Sequence, residues 1–348
     1  MYEVADKNIN SSPKIDTNEI VWYNALNSPV SIHGAVCGFA RVPVEFELFS
    51  DLKEQSVGVR ARFSTDSPFV ALKVFYKNEN NFCITKPFSA WGFDLYKSLS
   101  DGSEIFVGAF LPAEHNQNGY QAIINTSGQE CYTVNFPLCE VVSEVYIGVK
   151  KGSCFLPPSQ YNRMGKPIVF YGSSITQGAS ASRPGNTYPA MIAQKLGVDH
   201  INLGFSGNES AEKQMAEYIS KLKMDAFVLD YHYNAYDLEM LKANHYNFYK
   251  TVRLRNPFIP IIMVTAPCTK DDEPWISGGI KIVQETYRRA KEEGDKYVYF
   301  INGCHLFDGE YSQSCTVDGY HPNDLGFFRM ATVIGRTLTA ALETGFKL

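Results

Sequence analysis

Around Leu156-Pro157-Pro158-Ser159 the periodicity of this chain changes, and one layer architecture cannot absorb both patterns. Before that point, short runs alternate apolar and polar residues: Glu45 to Phe49, Val57 to Phe63, Phe69 to Tyr76, Ile105 to Phe110 and Val145 to Val149. Turn-forming clusters such as Thr65-Asp66-Ser67-Pro68 and Asp101-Gly102 separate them. Period-two alternation at such spacing predicts an antiparallel sandwich or jelly roll. After that point, near-continuous apolar runs recur at Ile168 to Tyr171, His200 to Phe205, Ala226 to Tyr231, Pro260 to Val264 and Tyr297 to Ile301. Amphipathic stretches separate them, at Tyr188 to Leu196, Glu209 to Leu222, Leu238 to Leu254 and Ile280 to Glu293, with a last helix over about Asn323 to Leu342. This pattern predicts an α/β unit with a parallel sheet covered by helices on both faces. A chain of 348 residues also exceeds the usual size of one core. We therefore divide it into a β-sandwich (jelly-roll-like) domain over 1–157 and an α/β domain over 165–348.

Several classes of partner are disfavoured. The net charge is −5 and no block of Lys and Arg stands out, which argues against nucleic acid. No apolar run reaches the ~18 residues of a membrane span. The eight cysteines form no CxxC pair and several fall in apolar runs, so the expectation is free buried thiols and no metal. That favours a cytoplasmic protein, or a secreted or periplasmic one if a leader has been trimmed. The 21 Tyr and 23 Phe suit β-structure or a sugar-facing surface.

The reactive residue types gather at the carboxyl ends of the predicted parallel strands, where such sheets place their ligand crevice. Ser174 follows the first strand in Gly172-Ser173-Ser174-Ile175-Thr176. Gly207 follows the second, Asn234 the third, and Asp318-Gly319-Tyr320-His321 lies between the fifth strand and the last helix. A serine hydroxyl is a poor nucleophile until an imidazole takes its proton, and a carboxylate holds that imidazole in the useful tautomer. Asp318 and His321, three residues apart in one loop, can meet as such a pair. The N–H groups of Ser174 and Gly207 with the Asn234 amide can hold a developing oxyanion.

In their order, Gly172-Ser173-Ser174-Ile175-Thr176, Gly207, Asn234 and Asp318-x-x-His321 resemble the SGNH (GDSL-like) hydrolase family over residues 165 to 348. The resemblance implies a flavodoxin-like three-layer α/β/α sandwich and ester cleavage without a metal or other cofactor. It assigns Ser174 as nucleophile, His321 as general base, Asp318 as its partner, and Ser174, Gly207 and Asn234 as oxyanion donors. Ser173 departs from the family, which commonly has Asp before the nucleophile. Gly92-Phe93-Asp94-Leu95-Tyr96 is similar to the Gly-x-Asp-Leu-Tyr signature of a β-rich domain found ahead of such esterases. The pairing also resembles carbohydrate esterases that remove acetyl groups from sugars.

The expected activity is thus hydrolysis of small acyl esters, acetyl above all, on a small-molecule or oligosaccharide substrate. Two rivals stand beside it: a lipid or phospholipid acyl-hydrolase, and a catalytically silent carbohydrate-binding protein. Oligomeric state is not legible. At single positions two readings also stand. Asn234 is an oxyanion donor or a helix cap; Arg183 touches substrate or braces its loop. His232 meets substrate or packs at a strand end; Trp275 is lid or core. Asp94 braces a turn or has a binding role, and Asn323 or Asp324 reads as the cap of the last helix.

Overall fold

The computed structural model describes residues 17–43, 54–77, 90–111, 119–161, 165–206, 212–267 and 273–345. Among the described residues its first part holds ten strands: β1 (Ile20–Asn24), β2 (Ser31–His33), β3 (Arg60–Thr65), β4 (Phe69–Tyr76), β5 (Phe93–Ser98), β6 (Glu104–Phe110), β7 (Gly119–Asn125), β8 (Glu130–Asn135), β9 (Val142–Lys150) and β10 (Phe155–Leu156). They form two antiparallel sheets, one ordered β1-β9-β4-β7 and the other β10-β3-β8-β5-β6 with β2 beside β3. Alternate residues of both sheets meet in one core: Val70, Leu72 and Val74 from β4, Val145 and Ile147 from β9, Phe63 from β3, Phe93 and Leu95 from β5, Tyr132 and Val134 from β8. Each such side chain contributes roughly 1.5–3 kcal/mol through burial. The expected run at Glu45 to Phe49 lies outside the described residues.

The opposite face of the second sheet is polar and yet buried. Arg60, Arg62, Asp94, Thr133 and Asn135 are each no more than 4% exposed. That face is turned toward the second part of the chain. Asp94 is a residue of strand β5, and it braces the turn at Pro184–Asn186 by accepting from the Gly185 N–H at 2.8 Å.

The second part carries β11 (Ile168–Gly172), α1 (Ser174–Gln177), α2 (Tyr188–Leu196), β12 (His200–Gly204), α3 (Glu212–Lys221), β13 (Ala226–Asp230), α4 (Leu238–Arg255), β14 (Ile261–Val264), α5 (Pro274–Glu292), β15 (Val298–Ile301) and α6 (Asp324–Gly345). The five strands are parallel, in the order β12-β11-β13-β14-β15. Ile168, Phe170, Val228 and Ile262 face α2 and α6 through Ile192, Phe327, Met330 and Ile334. Val169, Tyr171, Phe227, Leu229 and Met263 face α3, α4 and α5 through Met215, Phe248, Val252 and Val283. This is the expected three-layer α/β/α sandwich. The chain order reverses on either side of β11, so the crevice of a doubly wound sheet opens at its carboxyl end. No described helix is long and apolar enough to cross a membrane.

The two parts are joined by buried arginines. Arg60 donates to the His200 carbonyl at 2.9 Å and Arg41 to those of Asn202 and Gly204 at 3.2 and 2.7 Å. Burial lowers the Arg41 guanidinium to about 9. Closer to α1, the Gln177 amide donates to the Gln55 side chain and the Leu138 carbonyl, each at 3.0 Å. One expectation fails here. Cys139 and Cys304 each take part in a disulfide, whereas Cys37, Cys131, Cys154 and Cys315 are free thiols. Scattered spacing carries no sign of which cysteines meet, and with these two oxidised the thiol argument for a reducing compartment lapses. Cys83 and Cys268 lie outside the described residues.

Candidate active site

Strand β11 ends at Gly172, whose backbone passes so close to β13 that a Cβ there would stand 2.3 Å from the Asp230 carbonyl oxygen. Space, not a left-handed turn, is what the glycine supplies. Ser173 then caps α1, its hydroxyl accepting from the Ile175 N–H at 3.1 Å. The hydroxyl at this position thus serves the turn itself. Ser174 is the first residue of α1, where a backbone N–H has no partner inside the helix. Behind it, the Thr176 and Tyr188 hydroxyls donate to one Asp230 oxygen at 3.1 and 2.9 Å. Burial drives the Asp230 carboxyl up to about 7 against those two donors.

The Ser174 hydroxyl lies 3.0 Å from His321 Nε2, and His321 Nδ1 lies 2.7 Å from Asp318 Oδ2. Ionised Asp318 can only accept, so Nδ1 carries the proton and Nε2 presents its lone pair to the serine. The other Asp318 oxygen accepts from the N–H groups of Tyr320 and His321 at 2.9 and 2.7 Å. Partial burial raises the Asp318 carboxyl, but the His321 ring and these two N–H groups outweigh it and hold the group below its usual range. The three side chains form one hydrogen-bonded row, with Ser174 and His321 147 residues apart in sequence. Chemically, such a row can deprotonate a hydroxyl and return the proton to a leaving group.

Asn234 ends a single 3-10 turn after β13, and its amide donates to the Phe205 carbonyl at 2.9 Å. It does not cap α4; Asp237 does, accepting from the N–H groups of Glu239 and Met240. Gly207 lies outside the described residues, although its neighbour Ser206 donates to the Gln177 side chain at 2.8 Å. His232 packs at the strand end: its Nδ1 accepts from the Ala266 N–H at 3.0 Å, and burial lowers it to about 4. Arg183 braces, as its ion pair with Asp94 at 3.3 Å shows. Asn323, not Asp324, caps α6.

Ser174, Ser206, Asn234 and His321 open into a cavity of about 540 Å³ whose walls are Tyr233, Tyr236, Glu273, Trp275 and Tyr320. Trp275 meets Tyr236 at 5.0 Å and Tyr233 at 5.6 Å between ring centroids, both edge-on. Glu273 sits where an acid would cap α5, but its carboxylate accepts from Trp275 Nε1 at 2.5 Å and from the Tyr320 hydroxyl at 2.8 Å. Among the walls, the sequence singled out Trp275 alone. The signal for the tyrosines was present in Tyr233-x-x-Tyr236 after the third strand and in Tyr320 beside the histidine, whereas Glu273 carried none.

A family model described as the GDSL-like lipase/acylhydrolase family matches residues 165–339. A second, GxDLY, described as the N-terminus of SGNH-hydrolase-type esterases, matches residues 20–155. No curated protein matches the sequence. Among solved structures, one described as a GDSL-like lipase from Bacteroides ovatus is 27% identical, over 93% of this chain and 98% of that one, with a TM-score of 0.82. The salicylyl-acyltransferase SsfX3 of a tetracycline biosynthetic pathway is 19% identical over 94% and 99%, with a TM-score of 0.74. A family two carbohydrate esterase from Clostridium thermocellum, solved with cellohexaose, is 15% identical over 82% and 93%, with a TM-score of 0.61.

Proposed function

Since this chain belongs to the GDSL-like lipase/acylhydrolase family and is a carboxylic ester hydrolase, we propose that it removes small acyl groups, acetyl above all, from carbohydrate alcohols by a serine mechanism. In this reading Ser174 attacks the ester carbonyl while His321 Nε2 accepts its proton. Asp318 steadies the imidazolium through Nδ1. The oxyanion is met by the Ser174 and Gly207 N–H groups and the Asn234 amide, each such donor being worth ~10²–10³ in turnover. His321 then protonates the departing alcohol and activates the water that frees the acid. The observation that carries the reading is the 3.0 Å contact of Ser174 Oγ with His321 Nε2, backed by Asp318 at 2.7 Å. Domain limits at 1–157 and 165–348 belong to the same proposal.

The sugar assignment is supported by the cavity walls. Aromatic faces suit the C–H faces of a pyranose, and Tyr233, Tyr236, Trp275 and Tyr320 present such rings to the cavity. The similarity to a carbohydrate esterase solved with cellohexaose points the same way. The test is a hydrolysis screen over acetylated oligosaccharides, with Ser174→Ala as control, beside p-nitrophenyl esters of rising chain length. Acetate released from sugars by wild type but not by Ser174→Ala supports the proposal. Preference for long acyl chains moves the protein to the lipid acyl-hydrolases, and a fully active Ser174→Ala protein ends the serine mechanism.

A further inference from the structure

Asp94 is fully buried on the polar face of β5. A carboxylate withdrawn from water must find its hydrogen bonds inside the protein. Three groups supply them. One oxygen accepts from Asn135 Nδ2 at 2.8 Å; the other accepts from the Gly185 N–H at 2.8 Å and Arg183 Nη1 at 3.3 Å. Arg183 also donates to the Tyr96 hydroxyl and lies 4.0 Å over the Phe106 ring. Tyr96 presses on Gly185 so closely that a Cβ there would stand 2.4 Å from its hydroxyl oxygen. Two residues of the Gly-x-Asp-Leu-Tyr stretch thus grip a loop of the α/β domain.

The other side of that loop is held just as firmly. The N–H and hydroxyl of Ser182 and the amide of Asn186 donate to the Asp324 carboxylate at 2.8, 2.5 and 2.9 Å. Asp324 opens α6 and stands three residues after His321. Residues 182–186 are therefore a strut with a carboxylate at each end, Asp94 in the β-domain and Asp324 at the root of the histidine loop.

We propose that Asp94 is a positioning residue, which acts through residues 182–186 and Asp324 to hold the His321 imidazole on Ser174. The inference rests on Ser174 and His321 being nucleophile and base. A displacement of about 1 Å at a reacting pair costs on the order of 10²-fold. A loosened strut therefore lowers turnover, not substrate affinity.

The experiment measures kcat and KM on p-nitrophenyl acetate per active site titrated with a fluorophosphonate, for Asp94→Asn, Tyr96→Phe, Asp324→Asn and the Asp94→Asn/Asp324→Asn pair. The expected result is a fall in kcat of about tenfold for each aspartate variant and about threefold for Tyr96→Phe, with KM within about twofold. The aspartate pair should lose little more than either single variant, because both interrupt one path. Unchanged kcat per titrated site in Asp94→Asn and Tyr96→Phe overturns the proposal, even if their Tm falls. So does a pair whose loss equals the product of the single losses. If Asp94→Asn does not fold, Tyr96→Phe takes its place in the cycle. Ser174→Ala separates the two levels: if it is inactive while the strut variants match wild type, the strut alone fails; if it keeps full activity, both readings fall.

Discussion

Asn234 gives one amide hydrogen to the carbonyl of Phe205 at 2.9 Å and still lines the cavity beside Ser174. That bond fixes which way the amide faces, and in the proposed mechanism its second hydrogen meets the oxyanion. Asn234→Ala should therefore lower kcat by about 10²–10³-fold with little change in KM. Steady-state kinetics on an acetyl ester check this; a change confined to KM would move Asn234 from the oxyanion to ordinary substrate binding.

Removal of the proposed nucleophile or base should be more severe still. Ser174→Ala and His321→Ala should each lose at least about 10³-fold in kcat. Asp318→Asn should lose less, about 10²-fold, because the Tyr320 and His321 N–H groups still hold that side chain in place. Fluorophosphonate labelling, followed by mass, should vanish in Ser174→Ala and slow in the other two.

Glu273 sets a preference of charge. Its carboxylate lines the cavity among neutral aromatic rings, so an acidic sugar ester meets a like charge there. At about 8 Å in a half-open site this costs roughly 1 kcal/mol, or about fivefold. Wild type should turn over neutral acetylated sugars faster than uronic-acid counterparts, mainly through KM, and Glu273→Gln should narrow the gap. An unchanged ratio in the variant would remove Glu273 from substrate selection.

Acid should weaken the fold before it reaches the carboxylates. Burial lowers His232 to about 4 and His245 to about 3, His232 also pushing His245 down. Free histidine titrates near 6.5, so below that pH the unfolded chain binds protons that the folded one refuses. The stability from these two rings is complete above pH 6.5 and lost as pH falls toward 4 and then 3. Each ring contributes a slope of about 1 kcal/mol per pH unit there. His245→Gln, which can keep the Thr286 contact, should flatten the fall in Tm between pH 6.5 and 4.5. A slope identical to wild type would mean that His245 titrates normally.

Much of the α/β half was legible because its strands carry unbroken apolar runs and its helices a clear polar face. The start of α5 was not. Gly278-Gly279 imitates a helix break, yet the helix begins at Pro274, and Gly279 lies where a Cβ would strike His232. In the β half, β3 and β8 alternate hydrophobic residues with Arg60, Arg62, Thr133 and Asn135, all buried, and alternation alone cannot tell a solvated face from one pressed on a second domain. At the site, Ser174, Asn234, Asp318 and His321 could be picked from the sequence since each follows a strand or shares one short loop. Glu273 could not, because its partnership with Tyr320 spans 47 residues and no motif. Ser173 was legible as a departure, but that its hydroxyl caps α1 only geometry could say.

Arg60 and Arg41 occupy the carbonyls of His200, Asn202 and Gly204, every second residue along β12, which is the outermost strand of its sheet. A bare outer strand is a template on which another chain can add itself. The sandwich thus does for the hydrolase half what a further strand would: it closes the ladder with guanidinium groups and denies stray polypeptides a place to dock. Severed from its leading half, the enzyme would carry an open seam.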